Sequence, residues 1–187
     1  MRKVVISEFM SLDGVMEDPG GAEGFEYGGW TIPFWNDELG AFKKEELFDS
    51  DALLLGRVTY TGFAAAWPSM SDPDGFADRM NSNRKYVISS TLTDPQWNNT
   101  VVLSGDLVTE VNRIKEEPGQ NIVVAGSAKV AQALLANDLV DELRLAVYPV
   151  VLGKGKRLFG EGGHSTLQLV SQQATSSGVV LLVYRRA

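Results

Sequence analysis

Short apolar runs alternate with amphipathic stretches along most of this chain, and that alternation constrains its fold more than any other feature. A strand buried on both faces reads as a continuous apolar run, whereas a covering helix shows apolar residues every three to four positions. Lys3–Phe9, Ala52–Leu55, Tyr86–Ser89, Thr100–Leu103 and Ile122–Ala125 read as buried strands. Asn36–Phe48, Thr59–Trp67, Phe76–Asn83 and Asp106–Glu116 read as helices between them, and a further helix follows Gly126-Ser127 through Ala136. Leu143–Val151, Leu167–Val170 and Val179–Tyr184 then follow one another with no helix between. The predicted class is α/β: a mixed, mostly parallel central sheet with flanking helices and a C-terminal antiparallel strand pair. At 187 residues, with no linker, repeat or low-complexity segment, residues 1–187 read as a single domain.

Charge and cysteine content narrow the chemistry. A formal net charge of −7 supplies no basic face for nucleic acid or an anionic membrane. Cysteine is absent, which excludes disulfides, thiol catalysis and cysteine-ligated metals. The sole histidine, His164, lies in a glycine-rich stretch with no partner ligand, so no metal site is expected. Charge appears too early, at Arg2 and Lys3, for a signal-peptide core, and cytoplasm is the default location.

Two strand-to-helix junctions carry residues suited to an anion. In Leu55-Gly56-Arg57-Val58-Thr59, glycine permits close backbone approach, arginine is a fixed cation and Thr59 adds a hydroxyl. The same residues also fit a strand-end glycine followed by an ordinary surface helix. In Val124-Ala125-Gly126-Ser127-Ala128-Lys129, a small-residue turn enters a helix with a lysine in its first turn. Neither matches a Walker A loop or the three-glycine dinucleotide fingerprint. The stretch Ser11–Gly29, rich in Gly, Asp and Glu, reads as a long surface loop. In the helix over Asn36–Phe48, Trp35, Leu39 and Phe42 mark the apolar face, and Lys43, Lys44 and Glu45 are expected in solvent. The Trp30–Trp35 cluster fits either core lining or the wall of a pocket for a planar ring.

The segments taken in order resemble the dihydrofolate reductase superfamily, and within it the branch related to the reductase domain of the bacterial riboflavin-pathway deaminase/reductase. The resemblance rests on Ser11-Leu12-Asp13-Gly14, Leu55–Tyr60, Tyr86–Ser90, Val124–Ser127, Leu139–Leu143 and Pro149–Gly155, and it spans nearly the whole chain. It implies an NADPH-dependent reductase of a pterin-like, pyrimidine-like or aminouracil-ribose substrate; the alternative is an inactive nucleotide-binding or regulatory module on the same fold. By this resemblance Gly56, Arg57 and Thr59 would hold cofactor phosphate, with Ser89, Ser90 and nearby Lys85 beside the adenosine 2′-phosphate. Gly126, Ser127, Ala128 and Lys129 would hold the pyrophosphate, with a serine where the family commonly has a second glycine. Asp13 and Gly14 would belong to a loop closing over the nicotinamide. Glu38-Leu39-Gly40-Ala41-Phe42-Lys43 is similar to the superfamily's acid-bearing first helix. That similarity implies Glu38 as a proton-relaying acid, its pKa raised by burial beside Trp35, with Asp37 as its neighbouring rival and an Asp13-loop route behind both. An ordinary first-turn acid, favoured by the helix dipole, is the alternative. The resemblance and the apolar strand Val179–Tyr184 also imply a homodimer.

Overall fold

A computed structural model describes residues 1–161 and 163–187. The spine is β1 (Val4–Ser11), whose Val4, Val5 and Ile6 have no exposed surface. Burying each such side chain contributes about 1.5–3 kcal/mol, which fixes this run at the centre of the sheet. Around it lie β2 (Ser50–Gly56), β3 (Arg84–Ile88), β4 (Thr100–Leu103), β5 (Asn121–Val124), β6 (Glu142–Tyr148), β7 (Leu167–Ala174) and β8 (Val180–Arg186). They form one eight-stranded sheet in the order β4-β3-β2-β5-β1-β6-β8-β7. The first six strands run parallel, while β8 is antiparallel to β6 and β7 antiparallel to β8. This is the mixed sheet with a C-terminal antiparallel pair that the alternation of elements predicts.

Side chains alternate across the pleat and so build two cores. On one face Ile6, Leu54, Ile122 and Val124 pack with α4 (Leu107–Glu116) and α5 (Ala128–Ala136) through Val111, Ile114, Val130 and Leu134. On the other, Leu53, Leu55, Val87 and Val123 pack with α1 (Asp37–Phe48), α2 (Arg57–Ala66) and α3 (Phe76–Ser82) through Leu47, Tyr60 and Met80. A third, aromatic cluster closes the β1–β6 end. Tyr148 meets Phe9, Trp30 and Phe34 edge-on, at centroid distances of 5.7, 5.3 and 5.9 Å. Trp30 is therefore core lining, whereas Trp35 is 54% exposed.

Two local expectations change. Residues 11–29 are a loop, but Val15, Met16 and Asp18 are buried in it. The Asp18 carboxylate accepts the backbone N–H groups of Glu23 (3.0 Å) and Phe25 (3.1 Å), so the loop is wound around one acid. In α1 the inward face is not led by Trp35. Leu39, Glu46 and Leu47 are buried and Lys43 is half-buried beside them, because positions 39, 43, 46 and 47 share one side of a 3.6-residue helix.

One feature of the pairing positions the site. β1 pairs with β5 only over Val4–Ile6, while its pairing with β6 continues to Ser11. Beyond Ile6 the β5 side of β1 has no strand neighbour, and the turn after β5 occupies that flank.

Candidate active site

The N-termini of the four longer helices divide into two kinds. α1 and α4 carry side-chain caps: Asn36 accepts from the Leu39 N–H and Asp106 from the Thr109 N–H, each at 3.0 Å, with acids in both first turns. α2 and α5 have neither a side-chain cap nor a first-turn acid. Their leading N–H groups have no intrahelical acceptor and present partial positive charge. Because β2 and β5 are neighbours, with Leu54 opposite Val124, these two helices begin side by side.

The two junctions are stitched together by Ser127. Its hydroxyl accepts the Gly56 N–H and donates to Thr59 Oγ1, both at 2.8 Å. Ser127 holds the left-handed conformation (φ 62°, ψ 58°), a cost of about 1–2 kcal/mol for an L-residue that these bonds offset. Gly126 before it is also left-handed at φ +59°, and a Cβ there would stand 2.9 Å from Thr59 Cγ2. The serine hydroxyl is thus engaged inside the turn, not turned to an anion as a phosphate donor. The donors left at this turn are backbone groups of residues 128–130, next to the exposed Lys129. Arg57, at the first position of α2, is likewise exposed.

The β3 end is next along the same edge, with Gly56 opposite Ile88. Ser90 is exposed there, while Ser89 Oγ accepts the Thr91 and Leu92 N–H groups at 3.1 and 3.0 Å and shapes the turn. Lys85 is not beside them. It opens β3 at the opposite end, has no exposed surface, donates to the carbonyls of Asn81 and Asn98, and lies 4.2 Å from the Trp97 ring centroid. Burial lowers its pKa to about 8.

The expected acids lie elsewhere than expected. Glu38 is not buried beside Trp35: its carboxylate accepts the Ser176 N–H (2.7 Å), the Ser176 hydroxyl (2.6 Å) and Asn36 Nδ2 (3.0 Å). These donors, the Ser176 hydroxyl foremost, hold its pKa below the usual range, opposite to what a proton-relaying acid requires. Glu38 fastens the β7–β8 turn to α1, and Asp37 is exposed. Asp13 accepts from Ser11 Oγ at 2.7 Å and from the Leu152 and Gly153 N–H groups at 3.1 and 2.8 Å. The Ser11 bond first, then the two N–H groups, lower its pKa to about 2, so it serves as a clasp and not a proton source. Gly14 follows at φ +86°, its carbonyl accepting the Leu158 N–H at 3.1 Å.

That clasp has a measurable pH dependence. A carboxyl depressed from about 3.9 to about 2 contributes stability that is present above pH ~4 and lost as pH falls towards 2. Asp13→Asn should unfold more easily in urea at pH 7, by on the order of 1.5–3 kcal/mol for charge-assisted bonds. The gap to wild type should close below pH ~4, and a gap independent of pH would show that the charge is not what holds the loop.

The buried titratable groups cluster where β1 leaves β5. Glu8 is 6% exposed and its Oε1 has no partner among the described residues. Its pKa is raised well above the usual value, mainly by burial and further by the Glu46 charge, against the opposing pull of Lys43 and the Gly126 backbone. Behind it, Lys43 Nζ lies 2.6 Å from Glu46 Oε2, which also accepts from Ser7 Oγ at 2.7 Å. Lys43 also donates to Ser7 and sits 5.1 Å from the Phe9 ring centroid. None of these groups is prominent in the sequence. The available signals are a Ser-Glu pair breaking the apolar run Val4–Phe9, and Lys43 and Glu46 at helical spacing from Leu39.

A profile of the RibD C-terminal domain matches residues 2–181. The chain belongs to the RibD C-terminal domain family. A relative, the uncharacterized protein YyaP of Bacillus subtilis, is 31% identical, with 98% of this chain and 94% of that protein covered. Among solved structures, the fold is similar to a putative riboflavin biosynthesis protein from Shewanella sp. PV-4, with a TM-score of 0.76 and 23% identity over 100% of this chain and 99% of that one. It is also similar to a diaminohydroxyphosphoribosylaminopyrimidine deaminase/5-amino-6-(5-phosphoribosylamino)uracil reductase from Thermotoga maritima, with a TM-score of 0.67 and 17% identity over 100% of this chain and 57% of that one. The RibD C-terminal domain is a reductase-like fold, and the family suggests an oxidoreductase. Among the described residues no group of three or more His, Cys, Asp or Glu is arranged to hold a metal ion, and no helix is long and apolar enough to cross a membrane.

Proposed function

We propose that this chain is an NADPH-dependent reductase of a small heterocycle, with pterin-like, pyrimidine-like and aminouracil-ribose compounds as the substrate class. The observation that carries the reading is the pair of uncapped helix N-termini joined through Ser127. An uncapped N-terminus without first-turn acids favours a negatively charged group, and two side by side suit a pyrophosphate. Gly126 and Gly56 pack so closely on the Thr59 and Ser127 side chains that neither position has room for a Cβ without a shift.

In this reading the N–H groups after Gly126 and Ser127, with Ala128 and Lys129, hold the pyrophosphate. Gly56, Arg57 and Thr59 form its other wall, with Thr59 acting through the Ser127 bond. Ser90 and the Ser89 turn border the adenosine 2′-phosphate, and Arg57 is the cation within reach of it. Reduced nicotinamide, when bound, supplies the hydride. The chain orients the ring with the Ser11–Gly14 turn, which Asp13 locks to Leu152 and Gly153. The exposed Leu169 and Val170 on edge strand β7 support a homodimer.

NADPH should bind at least ~10-fold more tightly than NADH, as one charge-assisted phosphate contact gives, and Arg57→Gln should erase most of that margin. Cofactor titration by nicotinamide fluorescence measures both. NADPH oxidation with 5-amino-6-(5-phosphoribosylamino)uracil and pterin substrates tests turnover. Equal affinities for the two cofactors would overturn the cofactor assignment, and binding without oxidation of any substrate would leave an inactive nucleotide-binding module.

A further inference from the structure

We propose that Glu8 is the acid that protonates the substrate during reduction. The inference rests on the reductase reading above.

Reduction of a C=N or C=O bond needs two arrivals. Hydride from the reduced nicotinamide forms a new C–H bond, the π electrons move to nitrogen or oxygen, and that atom takes a proton. In the proposed step the Glu8 carboxyl O–H bond breaks and an N–H or O–H bond forms on the substrate, directly or through one water. The nicotinamide leaves oxidised, and Glu8 leaves as a carboxylate that regains its proton from solvent.

The other candidate acids are already committed. Asp13 is the clasp of the Ser11–Gly14 turn, and Glu38 is bound by Ser176. Glu46 has the Lys43 ammonium at 2.6 Å and the Ser7 hydroxyl at 2.7 Å, so it is the ion-pair carboxylate of the cluster. Glu8 and Glu46 each keep one buried oxygen without a partner among the described residues, but of the two only Glu8 has no ion pair. With Glu8 protonated, the cluster of one ammonium and two carboxyls is neutral; with Glu8 ionised, it holds a buried net negative charge. Burial is the main cause that raises the Glu8 pKa, and the Glu46 charge adds to it. Lys43 and the Gly126 backbone oppose, and they are the groups that would stabilise the carboxylate left after proton transfer.

Position supports the role. Glu8 lies two residues beyond Ile6, the last β1 residue paired with β5, and the backbone of Gly126 is near enough to act on its carboxyl. The acid and the cofactor cradle therefore share one turn.

Glu8→Gln keeps shape and buried neutrality while removing the transferable proton. Single-turnover NADPH oxidation should slow by roughly 10²-fold or more, with the NADPH dissociation constant unchanged. Wild-type rate should fall as pH rises through the Glu8 titration, and the variant should lose that limb. Glu38→Gln should behave as wild type. Independently of turnover, carboxyl ¹³C NMR of the cofactor-free protein should show one glutamate titrating well above the ordinary range, absent in Glu8→Gln. The proposal is overturned if no such carboxyl exists, if it survives in Glu8→Gln, or if Glu8→Gln turns over with the wild-type pH profile. Wild type that neither binds nor oxidises NADPH would bring down the reductase reading and this step together. Brisk oxidation by both wild type and Glu8→Gln would remove Glu8 alone.

Discussion

Gly126→Ala is expected to weaken NADPH binding by ~30-fold or more, on the strain values below, and to lower stability as well. The new methyl group meets Thr59 Cγ2 at 2.9 Å and Oγ1 at 3.0 Å, in a residue whose φ of +59° already disfavours a side chain. The left-handed conformation costs an L-residue about 1–2 kcal/mol, and overpacking adds about 1–3 kcal/mol. Either the turn keeps its shape and the folded state carries that strain, or it relaxes and the cradle loses its geometry. Isothermal titration with NADPH and urea unfolding, run on the same variant, apportion the two. Adding Thr59→Ser removes Cγ2 but keeps the hydroxyl that Ser127 reaches, so the double variant should recover part of both losses. Lost NADPH affinity with wild-type stability is the relaxed turn and wild-type affinity with lost stability the strained one; wild-type values of both would show that the turn is not as tight as its contacts imply.

Lys43→Met should be the most destabilising of the single charge removals. Glu46 is 3% exposed, and without the ammonium it becomes an uncompensated buried charge. Breaking a buried pair from one side typically costs about 3–5 kcal/mol, a large share of the ~5–15 kcal/mol that holds most domains together. For a chain of this length that corresponds to a fall of roughly 6–20 °C in Tm. Lys43→Met/Glu46→Leu should be far more stable than Lys43→Met, since replacing both charges by apolar groups removes the orphan. Calorimetry at pH 7 on wild type and the two variants is sufficient. A loss under ~1 kcal/mol for Lys43→Met would show that water reaches Glu46 and that the cluster is not sealed.

The sheet was legible because its signal is repeated: each apolar run is followed by a stretch with helical spacing, and residues 52–55 and 122–125 can only be buried if both faces are covered. The two strand-to-helix junctions were legible for a related reason, since Gly56 and Gly126 stand where an apolar run meets a helix start. Polar residues that point inward were not legible. Lys43 and Glu46 occupy the same helical stripe as Leu39 and Leu47, but a periodicity argument assigns charged residues to solvent unless it asks what pairs them. Glu38 shows the opposite failure. Its place in a familiar stretch suggests burial, yet Ser176, far along the chain, supplies the donors that keep it ionised. For Lys85 nearness along the chain misleads: four or five residues of extended strand span roughly 13–17 Å, enough to move it from the edge that carries Ser89 and Ser90 to the opposite end.

The Ser127 hydroxyl has a consequence for protein engineering. Because it joins Gly56 to Thr59 across a gap of about seventy residues in the chain, the two junctions form one discontinuous cassette. A chimera that imports residues 126–129 from a relative with a second glycine at 127 loses both ends of this tie, and one that imports residues 56–59 alone risks losing the acceptor at Thr59. Grafting or recombining the proposed cradle should therefore exchange both segments in the same step.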